Sequence, residues 1–268
     1  MDNRPIGVFD SGLGGLTVLK EIMELVPGES IVYFGDCGRI PYGTKSKETI
    51  TKYALQDVRF LLTHDVKMIV IACNTASAMS YDEIKSKLDI PVIEVIYPGA
   101  MAAVRETRNK KVGIIGTKAT IRSRAYEKVI NKLDASIETF SADCPLFVQL
   151  VEEGWWDNDI TYRIAEKYLT PLKEKGIDTL VLGCTHYPLL AKTISEVVGS
   201  GVKLVSSATE TARVVQDVIN SKCCARDPEI KPVYSYYTSD SIDSFVAFGS
   251  AFLGNKVCSV GKTDIEKY

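Results

Sequence analysis

VIACNTA (70–76) and VLGCTHY (181–187) share one plan: an apolar run, a cysteine, then small polar residues. Such a run, rich in branched side chains and bounded by a helical pattern, reads as a buried strand that feeds a helix. Each thiol therefore stands where the chain leaves the carboxyl end of a parallel strand. Open α/β sheets bind their ligands at that edge.

Outward from these stretches the chain repeats itself. KVGIIGTKAT (111–120) echoes PIGVFDSGLG (5–14), aligning Gly7 with Gly113; Asp36–Cys37 returns as Asp143–Cys144, and Cys73 returns as Cys184. Three matches in the same order, at nearly constant spacing, point to an internal duplication. Apolar runs at Ile6–Phe9, Ile31–Phe34, Met68–Ala72, Pro91–Val95, Val112–Ile115, Thr179–Leu182 and Val202–Val205 alternate with helical patterns. Two such patterns are Ile50, Tyr53, Ala54, Val58 and Leu61, and Ile164, Tyr168, Leu169 and Leu172. The expected fold is α/β: two pseudo-symmetric, doubly wound domains with mostly parallel sheets and the active site in the cleft between them. A chain of 268 residues exceeds the usual single domain. The expected division is 1–97 with 207–268, the C-terminal segment closing the first domain, and 98–206 as the second.

Composition narrows the function. A net charge of −2, a pI near 5.8 and no long basic stripe argue against nucleic acid as a partner. No apolar stretch reaches the roughly eighteen residues of a membrane span, and MDNRPIGVFDSG lacks the apolar core of a signal peptide. A cytoplasmic protein without a membrane partner is expected. Seven cysteines at irregular spacings, with no CxxC pair, make neither a zinc site nor a disulfide framework. A single cysteine is most simply a small buried hydrophobe, and Cys37, Cys144, Cys223, Cys224 and Cys258 are read so. Gly12-Leu13-Gly14-Gly15 is like a dinucleotide loop, but Thr17 occupies the place of its third glycine. Cys184 and His186 could be two metal ligands, yet the chain has only two histidines and His64 falls in a helical pattern. No metal or other cofactor is expected.

Cys73 and Cys184 differ from the other thiols because they share one context in two similar halves. If the halves face each other, both thiols converge on one cleft. Inverting a carbon stereocentre needs a proton to leave one face and another to arrive at the opposite face, and two flanking thiols can do this where one fixed base cannot. Free backbone N–H groups at the following helix starts attract anions and should lower the thiol pKa values. The carbanion-like state needs electrostatic stabilisation, and Asn74, Thr75, Thr117 and Thr185 suit the holding of a carboxylate. An amino-acid-binding protein would use the same helix starts but would not need paired thiols.

At DSGLGGLTV (10–18), YFGDCGRIPYG (33–43), ACNTASA (72–78), CPLFVQLVEEG (144–154) and CTHYPLL (184–190) the chain resembles glutamate racemase of the aspartate/glutamate racemase family. The resemblance spans essentially the whole sequence. It implies interconversion of L- and D-glutamate for peptidoglycan synthesis, without pyridoxal phosphate or metal, by a homodimer. It makes Cys73 the base toward D-glutamate and Cys184 the base toward L-glutamate. Asp10, Ser11 and Thr185 would hold the ammonium side; Asn74, Thr75 and Thr117 the α-carboxylate; the Tyr42–Gly43 backbone the side-chain carboxylate. His186, Asp10 and Glu152 would tune the thiols. Aspartate racemase is the nearest rival, and the PYG and CTHYP segments favour glutamate. Cys37–Gly38 stand where the family more often has Thr–Ala, and Gln149 replaces a usual proline.

Because no pyridoxal-lysine or metal-ligand constellation is evident, dialysis against a chelator and a carbonyl reagent should leave the racemisation rate intact. Activity lost on dialysis and restored by pyridoxal phosphate would overturn that reading.

Overall fold

The computed structural model describes residues 1–222, 224–253, 257 and 259–268. Cys223 and Cys258, read above as buried hydrophobes, lie outside the described residues. Ten strands are described: β1 (Ile6–Asp10), β2 (Ile31–Gly35), β3 (Met68–Ile71), β4 (Val92–Glu94), β5 (Lys111–Gly116), β6 (Glu138–Asp143), β7 (Thr179–Gly183), β8 (Lys203–Ser206), β9 (Tyr234–Thr238) and β10 (Val260–Lys262). They form two sheets, ordered β10-β9-β2-β1-β3-β4 and β6-β5-β7-β8. Every described pairing is parallel. The expected α/β class with two doubly wound parallel sheets is what the chain adopts. The order β2-β1-β3-β4 recurs as β6-β5-β7-β8, so the sequence repeat is also a repeat of topology.

Both sheets are covered on both faces, which is why their central strands read as continuous apolar runs rather than alternating ones. Ile6 and Val8 of β1 pack to one side, with Leu16, Leu19, Ile22, Val215 and Phe245. Phe9 packs to the other, with Ile50, Ala54, Val58 and Leu61. In β7, Leu180 and Leu182 face Phe147, Leu169 and Ile194, while Val181 faces Ile96, Tyr126 and Ile130. Helix Ile96–Glu106 carries the chain into the second sheet, and helix Ser207–Ser221 returns it and packs against both Ile96–Glu106 and Leu16–Leu25. Half-buried Phe248 touches a core of each sheet.

Three strands were not expected from the sequence. β6 (ETFSAD) is an exposed or half-exposed edge strand, β9 (YSYYT) is rich in hydroxyl groups, and β10 is a three-residue edge. None presents the apolar run by which the others are recognised. The helices, by contrast, announce their starts. Ser46 accepts the Thr49 N–H at the head of Lys47–Leu62, and Asn158 accepts the Thr161 N–H at the head of Asp159–Glu174.

The loop after β2 is braced from below by a buried polar cluster. Arg39 Nε lies 2.6 Å from Asp36 Oδ2, its Nη2 lies 3.0 Å from Asp57 Oδ1, and its Nη1 lies 2.6 Å from Gln56 Oε1. The guanidinium stacks on Tyr53 at 4.1 Å. The Tyr42 hydroxyl bonds Asp36 and sits 3.0 Å from Asp57 Oδ2. Both carboxylates are fully buried; burial, and next the Asp36 charge, push Asp57 well above the usual carboxylate range.

Arg39→Met would leave two buried carboxylates with no counter-charge and should cost about 3 kcal/mol of stability, read as a lower urea midpoint at neutral pH. A proton on Asp57 relieves that repulsion. Since the raised pKa means the charge is lost as pH falls through it, the gap between variant and parent should narrow toward acid pH. A gap that widens with acid would count against this account.

Candidate active site

The strand order reverses between β1 and β3 in one sheet and between β5 and β7 in the other. Side chains at those four carboxyl ends make the site, as the rule for open α/β sheets requires. Asp10 ends β1 and Ser11 follows it; Cys73, Asn74 and Thr75 follow β3. Thr117 follows β5, and Cys184, Thr185 and His186 follow β7. Tyr42 and Gly43 arrive on a tight turn, Tyr42–Thr44, after β2. Helix caps fix several of these. Cys73 caps helix Asn74–Ser86, its Sγ accepting the Ala76 N–H at 3.4 Å, and Thr117 caps Lys118–Ser123, accepting the Thr120 N–H at 3.2 Å.

Together they enclose a cavity of about 20 Å³ between the two sheet edges. Ser11, Tyr42, Gly43, Cys73, Asn74, Thr75, Thr117, Cys184, Thr185 and His186 all line it. Asp10 is fully buried beneath this wall, and Glu152 stands behind His186. Ile40, Pro41 and Val148 also line the cavity and were not anticipated. Ile40 and Pro41 adjoin the Tyr42–Gly43 pair, so their place was readable from the chain; Val148 carries no polar signal that could have marked it. A wider groove of about 1080 Å³, lined in part by Lys85, Glu94, Tyr97 and Lys128, contains neither thiol.

Close approach of the two edges depends on glycine. A Cβ on Gly14 would come within 2.4 Å of Thr185 Oγ1 and 2.5 Å of His186 Nδ1; one on Gly43 would come within 2.4 Å of Thr117 Cβ. The GLGG loop is thus a contact surface for the opposite sheet, and Thr17, the residue that breaks the dinucleotide pattern, reaches the Thr185 carbonyl at 3.2 Å.

The two thiols have different surroundings. Cys184 Sγ lies 3.8 Å from His186 Nδ1, and His186 Nε2 lies 3.1 Å from Glu152 Oε1. Burial opposes charge on this imidazole, but the Cys184 sulfur and the Glu152 carboxylate outweigh it and raise the pKa to about 10. Cys73 Sγ donates to Ser11 Oγ at 3.5 Å, and among the described residues no cation acts on it. Burial, and next the Asp10 charge, push the Cys73 thiol up to about 12. The expected lowering by the helix start is therefore corrected for Cys73: the Ala76 N–H does act downward, but desolvation is larger. Asp10, also raised by burial, accepts the Gly12 N–H at 3.0 Å, and the Thr185 hydroxyl sits 3.4 Å from it.

Part of the lining is made of hydroxyl and amide groups. Thr75 and Thr117 hydroxyls lie 2.9 Å apart, and each is within 3.2 Å of Thr120 Oγ1. Thr120, not anticipated, stands one helical turn beyond Thr117, a spacing that could have marked it. Asn74 Oδ1 accepts from Tyr126, and its Nδ2 is buried with no partner among the described residues. Tyr42 spends its hydroxyl on the carboxylates below, so only its backbone is free for a ligand. Cys144 is fully buried, and Cys37 and Cys224 are half-buried against the first core. Cys37 and Gly38 form the turn before the Tyr42 loop, and Gln149 is exposed on helix Leu146–Glu152. Among the described residues no three His, Cys, Asp or Glu side chains gather as a metal site, and no helix is long and apolar enough to cross a membrane.

Residues 6–215 match the model of the Asp/Glu/hydantoin racemase family. A glutamate racemase from Geobacter metallireducens is 49% identical over 263 residues, 98% of this chain and 97% of that protein. The crystal structure of a glutamate racemase isoform from Bacillus anthracis superposes with a TM-score of 0.95 at 40% identity, covering 98% of each chain. That of glutamate racemase from Francisella tularensis, in complex with D-glutamate, gives 0.94 at 39% identity over the whole of both chains. With its fold and nearly its whole length in common with these proteins, the chain is an isomerase of the Asp/Glu/hydantoin racemase family.

Proposed function

We propose that this protein interconverts L- and D-glutamate without a cofactor, Cys73 and Cys184 acting as the two bases. The observation that carries this reading is a single cavity with one buried thiol from each of two topologically equivalent strand ends. The glutamate racemases to which the chain is similar, one of them in complex with D-glutamate, support the substrate.

From L-glutamate, Cys184 as thiolate takes the α-proton, and Cys73 as thiol gives one to the opposite face. The His186 imidazolium, held by Glu152, stands 3.8 Å from the Cys184 sulfur and offers it a counter-charge. From D-glutamate, Cys73 must become the thiolate in a place that resists the charge. The substrate's own ammonium, held by Asp10, Ser11 and Thr185, supplies the missing cation. Asn74, Thr75 and Thr117 receive the α-carboxylate with donors already in place, which spares reorganisation as negative charge develops at the α-carbon. The Tyr42–Gly43 backbone takes the side-chain carboxylate. We further propose that residues 1–97 with 207–268 and residues 98–206 are the two domains, each containing all strands of one sheet. The family resemblance supports a cytoplasmic homodimer whose D-glutamate serves peptidoglycan synthesis.

Each direction requires one thiolate and one thiol, so kcat/KM should be bell-shaped in pH both ways. The His186 charge is complete below a pH of about 10 and lost above it, so the alkaline limb from L-glutamate should fall near there. A profile from L-glutamate that does not fall as the pH rises past about 10 would argue against this account.

Cys73→Ala and Cys184→Ala should each abolish racemisation, because one face of the α-carbon loses its proton donor or acceptor. A glutamate analogue with a leaving group on the β-carbon needs deprotonation alone. Cys73→Ala should then eliminate only from the L form and Cys184→Ala only from the D form, followed by release of the leaving group. Elimination from the same enantiomer in both variants would sink the two-base mechanism.

A further inference from the structure

The donor wall of the cavity depends on a residue that does not itself line it. Tyr126 sits at the start of helix Ala125–Leu133, beyond β5, and is almost fully buried. Its hydroxyl donates to Asn74 Oδ1 at 2.6 Å, a bond from an element of the second sheet to one of the first. The ring occupies a slot that only glycine leaves open. A Cβ on Gly99 would lie 3.1 Å from the Tyr126 Cε1 and Oη atoms, and a Cβ on Gly183 would lie 3.2 Å from Cε2. Arg124, just before the helix, takes a left-handed backbone (φ 57°, ψ 25°), uncommon for a residue other than glycine. That turn separates Lys118–Ser123 from Ala125–Leu133 and directs Tyr126 inward.

The direction of the hydrogen bonds matters more than their number. Burial, and next the Glu94 charge, hold the Tyr126 phenol far above its ordinary pKa, so it keeps its proton, and the Ser207 hydroxyl reaches its oxygen. The phenol has one proton to give, and Asn74 Oδ1 takes it. An amide satisfies this in one orientation only, with Oδ1 toward Tyr126 and the NH₂ turned away. Asn74 lines the cavity, and that NH₂ is buried without a partner. An unpaired buried donor is costly unless a ligand acceptor completes it.

We infer that Tyr126 is a positioning residue which fixes the Asn74 amide with its NH₂ toward the ligand, so that this wall accepts a carboxylate and rejects a carboxamide in the same place. The inference rests on the proposed assignment of the glutamate α-carboxylate to the Asn74 wall. With the phenol absent, the amide can turn over, present its oxygen to a ligand NH₂, and lose the distinction. Tyr126 touches no reacting atom, so the effect belongs to binding and not to proton transfer.

The test compares parent, Tyr126→Phe, Asn74→Ala and the double variant, following racemisation of both glutamate enantiomers by circular dichroism. Affinity for L-glutamate and for its α-carboxamide is measured in parallel by calorimetry. Tyr126→Phe should raise KM about tenfold for both enantiomers, the worth of one hydrogen bond to a charged group, while kcat changes far less. The preference for glutamate over the amide should shrink by about the same factor. In the Asn74→Ala background, Tyr126→Phe should add nothing. Gly99→Ala, which crowds the ring without touching Asn74, should reproduce the lost preference and serves if Tyr126→Phe folds poorly. An unchanged preference in a folded Tyr126→Phe, or a double variant clearly worse than Asn74→Ala, overturns the inference. A parent that binds glutamate but does not racemise it overturns the proposed function instead, and the calorimetric preference then still decides the role of Tyr126.

Discussion

Two sheet edges are brought so close that no side chain fits at the points of contact. Gly14 lies against Thr185 and His186, and Gly43 against Thr117. Everything the site can do follows from this approach. A thiol at the end of one strand is an ordinary buried cysteine. Two thiols on opposite walls of one small cavity can serve opposite faces of a single carbon. The constraint is steric, and it explains why glycines gather at the sheet edges in a chain whose cores are filled by Ile, Leu, Val and Phe.

Topological symmetry does not carry over into electrostatic symmetry. The Cys184 side has a protonated imidazole braced by Glu152, whereas the Cys73 side has a buried carboxylate and a serine hydroxyl. A duplicated fold has thus placed equivalent sulfurs in unequal fields. One has an imidazole 3.8 Å away; the other has a buried carboxylate whose charge raises its pKa. Such inequality lets a nearly symmetric reaction run on a chain whose halves have diverged.

Much of this was legible in the residues because burial on both faces writes an uninterrupted apolar run into a strand. β1, β2, β3, β5 and β7 stand out for that reason, and the residues that follow four of them are the site. β6, β9 and β10 stayed hidden, since a half-exposed or hydroxyl-rich strand is held by its neighbours rather than by its own hydrophobicity. At the site, capping chemistry made Cys73, Asn74, Thr75 and Thr117 readable. Val148 and Tyr126 were not: the first contributes shape alone, and the second is distant in sequence from the amide it orients. The rise in the Cys73 pKa also escaped, because helix-start N–H groups can be read from a sequence and the depth of burial cannot.

A cavity of about 20 Å³ has room for little more than one water molecule, and an amino acid with a second carboxylate is many times larger. Seating such a ligand therefore requires the lining of this cavity to rearrange. The same tight seam that buries both sulfurs thus sets how little room the site offers before its walls adjust.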